Sequence, residues 1–229
     1  MNNTHPGERL HLGCGGFAPP GWINTDGSWH VWLARWPLVK RLALAIGLLP
    51  AMHRDHPWPD SILRLDLRRR LPFPAERLSA VYSSHVLEHL HRAEALALLG
   101  EIRRCLRPGG VARMAVPDLA FHLEEYRQGR ILPEAPGATP ADTLMHRLYL
   151  RPPAPPGGSW PRRLYHAVLD FNSHKWLYDQ ESLCALFREA GFASPEACPL
   201  LTSRIPGIEH IERPERIGGG GTLIVEAEK

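Results

Sequence analysis

The sequence predicts an α/β fold with a mostly parallel sheet covered on both faces. Three observations point there. Leu10 to Asp26, LHLGCGGFAPPGWINTD, reads as a short apolar strand, a glycine turn and a second strand ending in an acid. Further β-prone runs, ILRLDL (62–67), LSAVYSS (78–84) and VARMAVPDL (111–119), alternate with segments of helical periodicity. In such sheets the ligand lies at the carboxyl ends of the strands, where the glycine turn falls.

The opening strand leads into glycines at 13, 15 and 16, which let the backbone turn where a Cβ would obstruct a ligand. Amides at such a turn favour a negatively charged group. Asp26 closes the second strand, where a carboxylate can accept hydrogen bonds from both ribose hydroxyls. Gly13-x-Gly15-x-x-Ala18 also fits the loose dinucleotide fingerprint. Asp26 follows Gly13 more closely than the usual gap of about 20 residues, which disfavours a dinucleotide oxidoreductase.

Residues 31–50, VWLARWPLVKRLALAIGLLP, form the most apolar stretch. Arg35, Lys40, Arg41 and Pro37 make it a poor spanning helix. A lid packed on its own domain is the preferred reading, and peripheral contact with a membrane surface is the alternative. The third strand, 62–67, carries Asp66, and Leu71-Pro72-Phe73-Pro74 is a stiff turn after it. After the strand at 78–84, a single helix is expected over VLEHLHRAEALALLGEIRRCL, stopped by Pro108-Gly109-Gly110 before a fifth strand.

Leu119 to Gln128 reads as a helix closed by Gly129, and ADTLMHRLYL as a helical island in a proline-rich stretch. PPAPPGGSWP is expected to be mobile or an extended arm. Asp179 is a candidate N-cap for a helix over 181–190, with Gly191 beyond its end. Residues 200–203 and 221–227 are candidate closing strands.

Composition fits this reading. The chain has 229 residues, 44% hydrophobic and 22% charged, enough for one substantial domain. The net charge of +3 and pI of about 8.8 come without a basic stripe, and nucleic-acid binding is not expected. Four scattered cysteines, Cys14, Cys105, Cys184 and Cys198, lack metal or redox spacing. The N-terminus has no signal-peptide core, so a reduced, cytoplasmic chain is expected.

LHLGCGG, GWINTD, LDLRRRLPFP, AVYSSHVLEHLHRAEALALLGEIRRCLRPGG and VPDL, in this order, resemble the class I S-adenosylmethionine-dependent methyltransferases, most closely the small bacterial predicted methyltransferases of type 11. HKWLYD and LFREAGF add later agreement. The resemblance implies a Rossmann-like sheet, mostly parallel, of seven strands with the last antiparallel, and S-adenosylmethionine as cofactor. A single domain over 1–229 is expected, departing from the family by a long insertion at about 27–60, read as a lid over the cofactor or part of the acceptor pocket, with a second insertion at about 130–170, on the acceptor side and partly mobile. By the same resemblance, Gly13, Cys14 and Gly15 would pass the methionine part of the cofactor and Asp26 would take the ribose. Asp66 and the Leu67 amide would read the adenine, and Ser84 and His85 would face the methionine and methyl group.

The implied reaction is methyl transfer to an unidentified acceptor, with a hydroxyl of a small molecule or glycan as the working expectation. A hydroxyl acceptor needs a base, and His85 and His174 are the candidate catalytic residues. A non-catalytic cofactor-binding regulator is the alternative. His85-Val86-Leu87-Glu88-His89 also matches the inverted zinc-protease signature H-x-x-E-H, which on one helix would set His85 and His89 on one face with Glu88 activating water. Lacking a third ligand, that reading is remote, and no metal residue is assigned.

Overall fold

A computed structural model describes residues 7–45, 58–130, 139–148, 173–217 and 221–229. Its centre is a seven-stranded sheet: β1 (Glu8–Leu12), β2 (Ile23–Asp26), β3 (Leu63–Arg64), β4 (Leu78–Ser84), β5 (Leu106–Pro117), β6 (Glu196–Ala197) and β7 (Thr222–Glu228). The order is β3-β2-β1-β4-β5-β7-β6. The first five strands run parallel, and β7 is antiparallel to both β5 and β6. This is the expected Rossmann-like sheet with one reversed strand.

The side chains follow the period of two that a doubly covered sheet demands. Leu10, Leu12, Val81, Met114, Val116 and Val225 enter one core. It is closed by Leu98, Leu99 and Ile102 of α3 (Arg92–Cys105) and by Leu183, Leu186 and Phe187 of α6 (Gln180–Glu189). Ala80, Tyr82, Val111, Ala115 and Ile224 point the other way, beneath Trp22, Ile205, Ile208 and Ile211. Within that second face Arg113 of β5 is fully buried. It donates to Glu212 at 2.9 and 2.7 Å, to Glu226 at 3.2 Å and to the Thr202 carbonyl at 2.8 Å. A buried guanidinium is tolerable only with its charge and donors met in this way.

α4 (Leu119–Arg127) is capped by Asp118, with Gly129 left-handed just beyond its end. α5 (Pro140–Arg147) matches the expected helical island. α6 is capped by Asp179, and Gly191 follows it at φ 96°. α1 (Trp29–Ala34) starts at Ser28, whose side chain accepts from the His30 amide, and α2 (Pro37–Ala45) follows directly. Val31 of α1 packs with Cys14 and Ile62, over the glycine turn. By contrast, Leu38 and Leu42 of α2 stand 77% and 63% exposed. Among the described residues no helix is long and apolar enough to cross a membrane.

Four elements differ from expectation. The helix expected from Val86 onward is broken. Leu87–His89 form a single 3₁₀ turn, Leu90 and His91 are extended, and α3 starts only at Arg92. The His91 amide is capped by Glu94 Oε2 at 2.9 Å, which favours a fresh start there. β5 begins at Leu106, so it includes Pro108-Gly109-Gly110, read from sequence only as a stop. The strand expected over 62–67 pairs only at Leu63 and Arg64. Residues 200–203 form no strand; β6 lies earlier, at Glu196–Ala197, because Arg113 and Glu226 engage the backbone or side chains of Thr202, Ser203 and Arg204. The proline-rich arm at 152–161, most of the 130–170 insertion and the end of the 31–50 stretch lie outside the described residues.

Candidate active site

The glycine turn ends β1 with two left-handed residues, Gly13 at φ 65° and Gly15 at φ 59°. Buried Cys14 continues the ladder, its amide donating to the Thr25 carbonyl at 3.0 Å. Asp26, at the end of β2, spans this turn and the start of α1. Its Oδ2 accepts from the Gly15 amide at 2.9 Å and its Oδ1 from the Ser28 amide at 2.7 Å. A carboxylate offers about four acceptor positions, so capacity remains for further donors.

Asp66 lies just past β3, its backbone already turning. Arg68 forks onto its two oxygens at 2.9 and 3.1 Å. That hydrogen bonding, against a smaller cost of burial, holds the Asp66 carboxyl below the usual carboxylate range. Leu67 is half-buried against the main core. Asp66 thus stands two residues past the paired strand, not within it, with Arg68 sharing its carboxylate.

Ser84 closes β4 opposite Ala115 of β5. The chain then turns through His85, held left-handed at φ 55° with its amide on the Ala115 carbonyl at 2.9 Å. A non-glycine residue in this region costs of order 1 kcal/mol, and such strain gathers at functional sites. The next residue, Val86, presses on Gly13: a Cβ there would stand 2.2 Å from Val86 Cγ2. The ends of β1, β2 and β4 therefore meet.

Glu88 is the hub of the remaining chemistry. Its side chain is fully buried, and Oε1 lies 3.1 Å from His85 Nδ1. In the tautomer that donates Nδ1–H to the Glu88 carboxylate, His85 Nε2 is left with a lone pair. His174 Nε2 lies 3.9 Å from the same oxygen. The later segment is stitched on by its backbone: the Lys175 and Trp176 amides donate to the Glu88 carbonyl at 2.7 and 3.2 Å. Burial drives the His174 imidazole down to about 4; Glu88 pulls it up, while His89 and His85 push it further down. Near neutrality His174 is uncharged. Burial also raises the Tyr178 hydroxyl far above its ordinary value, with Glu88 adding to the effect.

The two expected catalytic histidines, His85 and His174, far apart in the chain, are thus brought to one carboxylate. The residue that joins them, Glu88, was not among the expected site residues. The H-x-x-E-H string contains it, but its approach to His174 has no local signature. The same turn corrects the metal geometry that string implies: with no helix through 85–89, His85 bonds Glu88 instead of sharing a face with His89.

A family profile described as a methyltransferase domain matches residues 26–194, well over half of the 229-residue chain. The chain belongs to this family, the S-adenosylmethionine-dependent methyltransferases, whose cofactor is S-adenosylmethionine. Similar solved structures include a methyltransferase from Thermotoga maritima, described as a possible histamine N-methyltransferase. It is 17% identical, with a TM-score of 0.49 over 97% of this chain and 82% of that one. A methyltransferase from Archaeoglobus fulgidus is 16% identical, with a TM-score of 0.47 over 98% and 87%. One from Mesorhizobium loti is 18% identical, with a TM-score of 0.44 over 97% and 90%. No curated protein sequence matches this chain.

Proposed function

We propose that this chain transfers a methyl group from S-adenosylmethionine to a hydroxyl of a small-molecule or glycan acceptor, with His85 as the base. The observation that carries the reading is the His85–Glu88 pair at the end of β4, beside the glycine turn. When bound, S-adenosylmethionine supplies a methyl on a cationic sulfur, so the protein need only align, desolvate and manage one proton. His85 Nε2 accepts the hydroxyl proton as the oxygen attacks. Its Nδ1–H stays on Glu88, whose buried charge stabilises the imidazolium that forms.

The donor set suits the cofactor. Asp26 has acceptor capacity left after Gly15 and Ser28, as adjacent ribose hydroxyls require. The turn at Gly13, Cys14 and Gly15 carries no side chain beyond the buried Cys14 thiol, leaving backbone to pass the methionine part. Ser84 and His85 lie across from it, and Asp66 with Leu67 borders the position for adenine, where an amino donor shares the carboxylate with Arg68. His174 lies behind Glu88, 5% exposed, and reads better as a partner of that carboxylate than as a second base.

The deciding experiment is calorimetric titration with S-adenosylhomocysteine, beside Asp26→Ala. Micromolar binding that weakens at least tenfold in the variant is expected. A folded wild type that binds no S-adenosylhomocysteine overturns the reading.

A further inference from the structure

Glu88 poses a problem that methyl transfer does not solve. Its carboxylate is fully buried, yet its ion-pair neighbours among the described residues are two imidazoles, with no lysine or arginine. Oε1 is taken by His85, while Oε2 is buried with no hydrogen-bond partner among the described residues. The same holds for His89 Nδ1. Native interiors leave few such groups unpaired, and each one calls for a bound species or a cost.

Both residues belong to one cluster. Glu88, His89 and His174 each offer one ligand atom, and all three atoms lie within 4.8 Å of one another. The His89 and His174 rings meet edge to face with centroids 4.9 Å apart. We propose that Glu88, His89 and His174 bind one first-row transition-metal dication. One carboxylate and two imidazoles suit zinc, cobalt or manganese better than magnesium or calcium, which prefer oxygen alone. Three atoms each about 2.0–2.2 Å from one tetrahedral ion stand roughly 3.3–3.6 Å apart, so the trio draws together by about 1 Å as it takes the ion.

The backbone prepares the site before any ion arrives. The 3₁₀ turn supplies Glu88 and His89 as neighbours, and the Lys175 and Trp176 amides fix His174 against them through the Glu88 carbonyl. His85, hydrogen-bonded to the other carboxylate oxygen, orients Glu88 from outside the ligand set. Three protein ligands leave coordination positions for water or an acceptor oxygen. The ion also offsets the buried negative charge. The ligand set differs from the one H-x-x-E-H implies: His174 replaces His85, and it comes from a distant segment. Cation binding does not depend on the methyl-transfer reading, since it is measured without cofactor.

The test uses the full chain, stripped with a chelator and checked for fold by circular dichroism. It is titrated with Zn²⁺ by calorimetry and with Co²⁺ by visible absorption, beside Glu88→Gln and His174→Ala. One equivalent per chain, Co²⁺ bands of mixed nitrogen and oxygen ligation, and loss of both in either variant are expected. No ion bound by the folded wild type, or binding that survives His174→Ala, overturns the site. Should a variant fail to fold, Co²⁺ broadening of histidine ring signals in the wild type decides. Broadening confined to His85, His89 and His174 upholds the site, and broadening centred on other histidines overturns it.

Discussion

Gly13 and Val86 touch where β1 and β4 end: a Cβ on Gly13 would stand 2.2 Å from Val86 Cγ2. Gly13 is also left-handed, at φ 65°. Gly13→Ala therefore meets two penalties, a backbone cost of about 1–2 kcal/mol and a collision that must push the two strand ends apart. Chemical denaturation should show the loss, and S-adenosylhomocysteine affinity should fall with it. Adding Val86→Ala should recover the part due to collision and leave the backbone part. Full recovery in the double variant would show that the left-handed turn carries no cost.

His85 tests the base. Asparagine tolerates φ 55° but cannot take a proton near neutral pH, so His85→Asn should fold and bind S-adenosylhomocysteine like wild type. Turnover with a hydroxyl acceptor should drop about 10²- to 10⁴-fold, the usual worth of a positioned general base. Unchanged turnover in single-turnover assays would remove His85 from the proton transfer.

Arg113 holds two buried carboxylates, Glu212 and Glu226. Arg113→Met fills similar space and strands both charges, which should cost about 3–5 kcal/mol. For a domain of this size, that is a melting-temperature fall of roughly 10 °C. Glu212→Gln added to it should restore part of the loss. A rise in stability for Arg113→Met alone would show that the network is a net burden.

His122 of α4 provides a pH signature. Burial first, then Arg147, hold its imidazole below the ordinary value of 6.5; Asp118, the Gly221 carbonyl and Glu125 pull the other way. The unfolded chain takes up this proton more readily than the folded one. Stability from this group is therefore constant above about 6.5 and falls as pH drops from there toward the lowered folded value. In urea titrations from pH 7.5 to 5, His122→Gln should show a shallower decline than wild type. Identical slopes would mean the ring protonates equally in both states.

The sequence by itself determined most of the sheet and the cofactor end of the site. Glycines, caps and strand-ending acids act over a few residues, so Gly13, Gly15, Asp26, Asp179 and Gly191 could be placed without knowing what they pack against. The β-prone runs at 78–84, 111–119 and 221–227 likewise located β4, most of β5 and β7. Tertiary structure alone decided what surrounds Glu88. Periodicity ran a helix straight through 86–90, because Leu87, Leu90 and Ala93 keep helical spacing. The fold breaks that helix, since the Ala115 carbonyl holds the His85 amide and Glu94 caps the His91 amide. Bringing His174 to Glu88 depends on two backbone hydrogen bonds from a segment far along the chain. Arg113 with Glu212 and Glu226 is the same case. Charged residues read as surface in a linear sequence, and only the packing of β5, β7 and the segment between β6 and β7 turns them inward and pairs them.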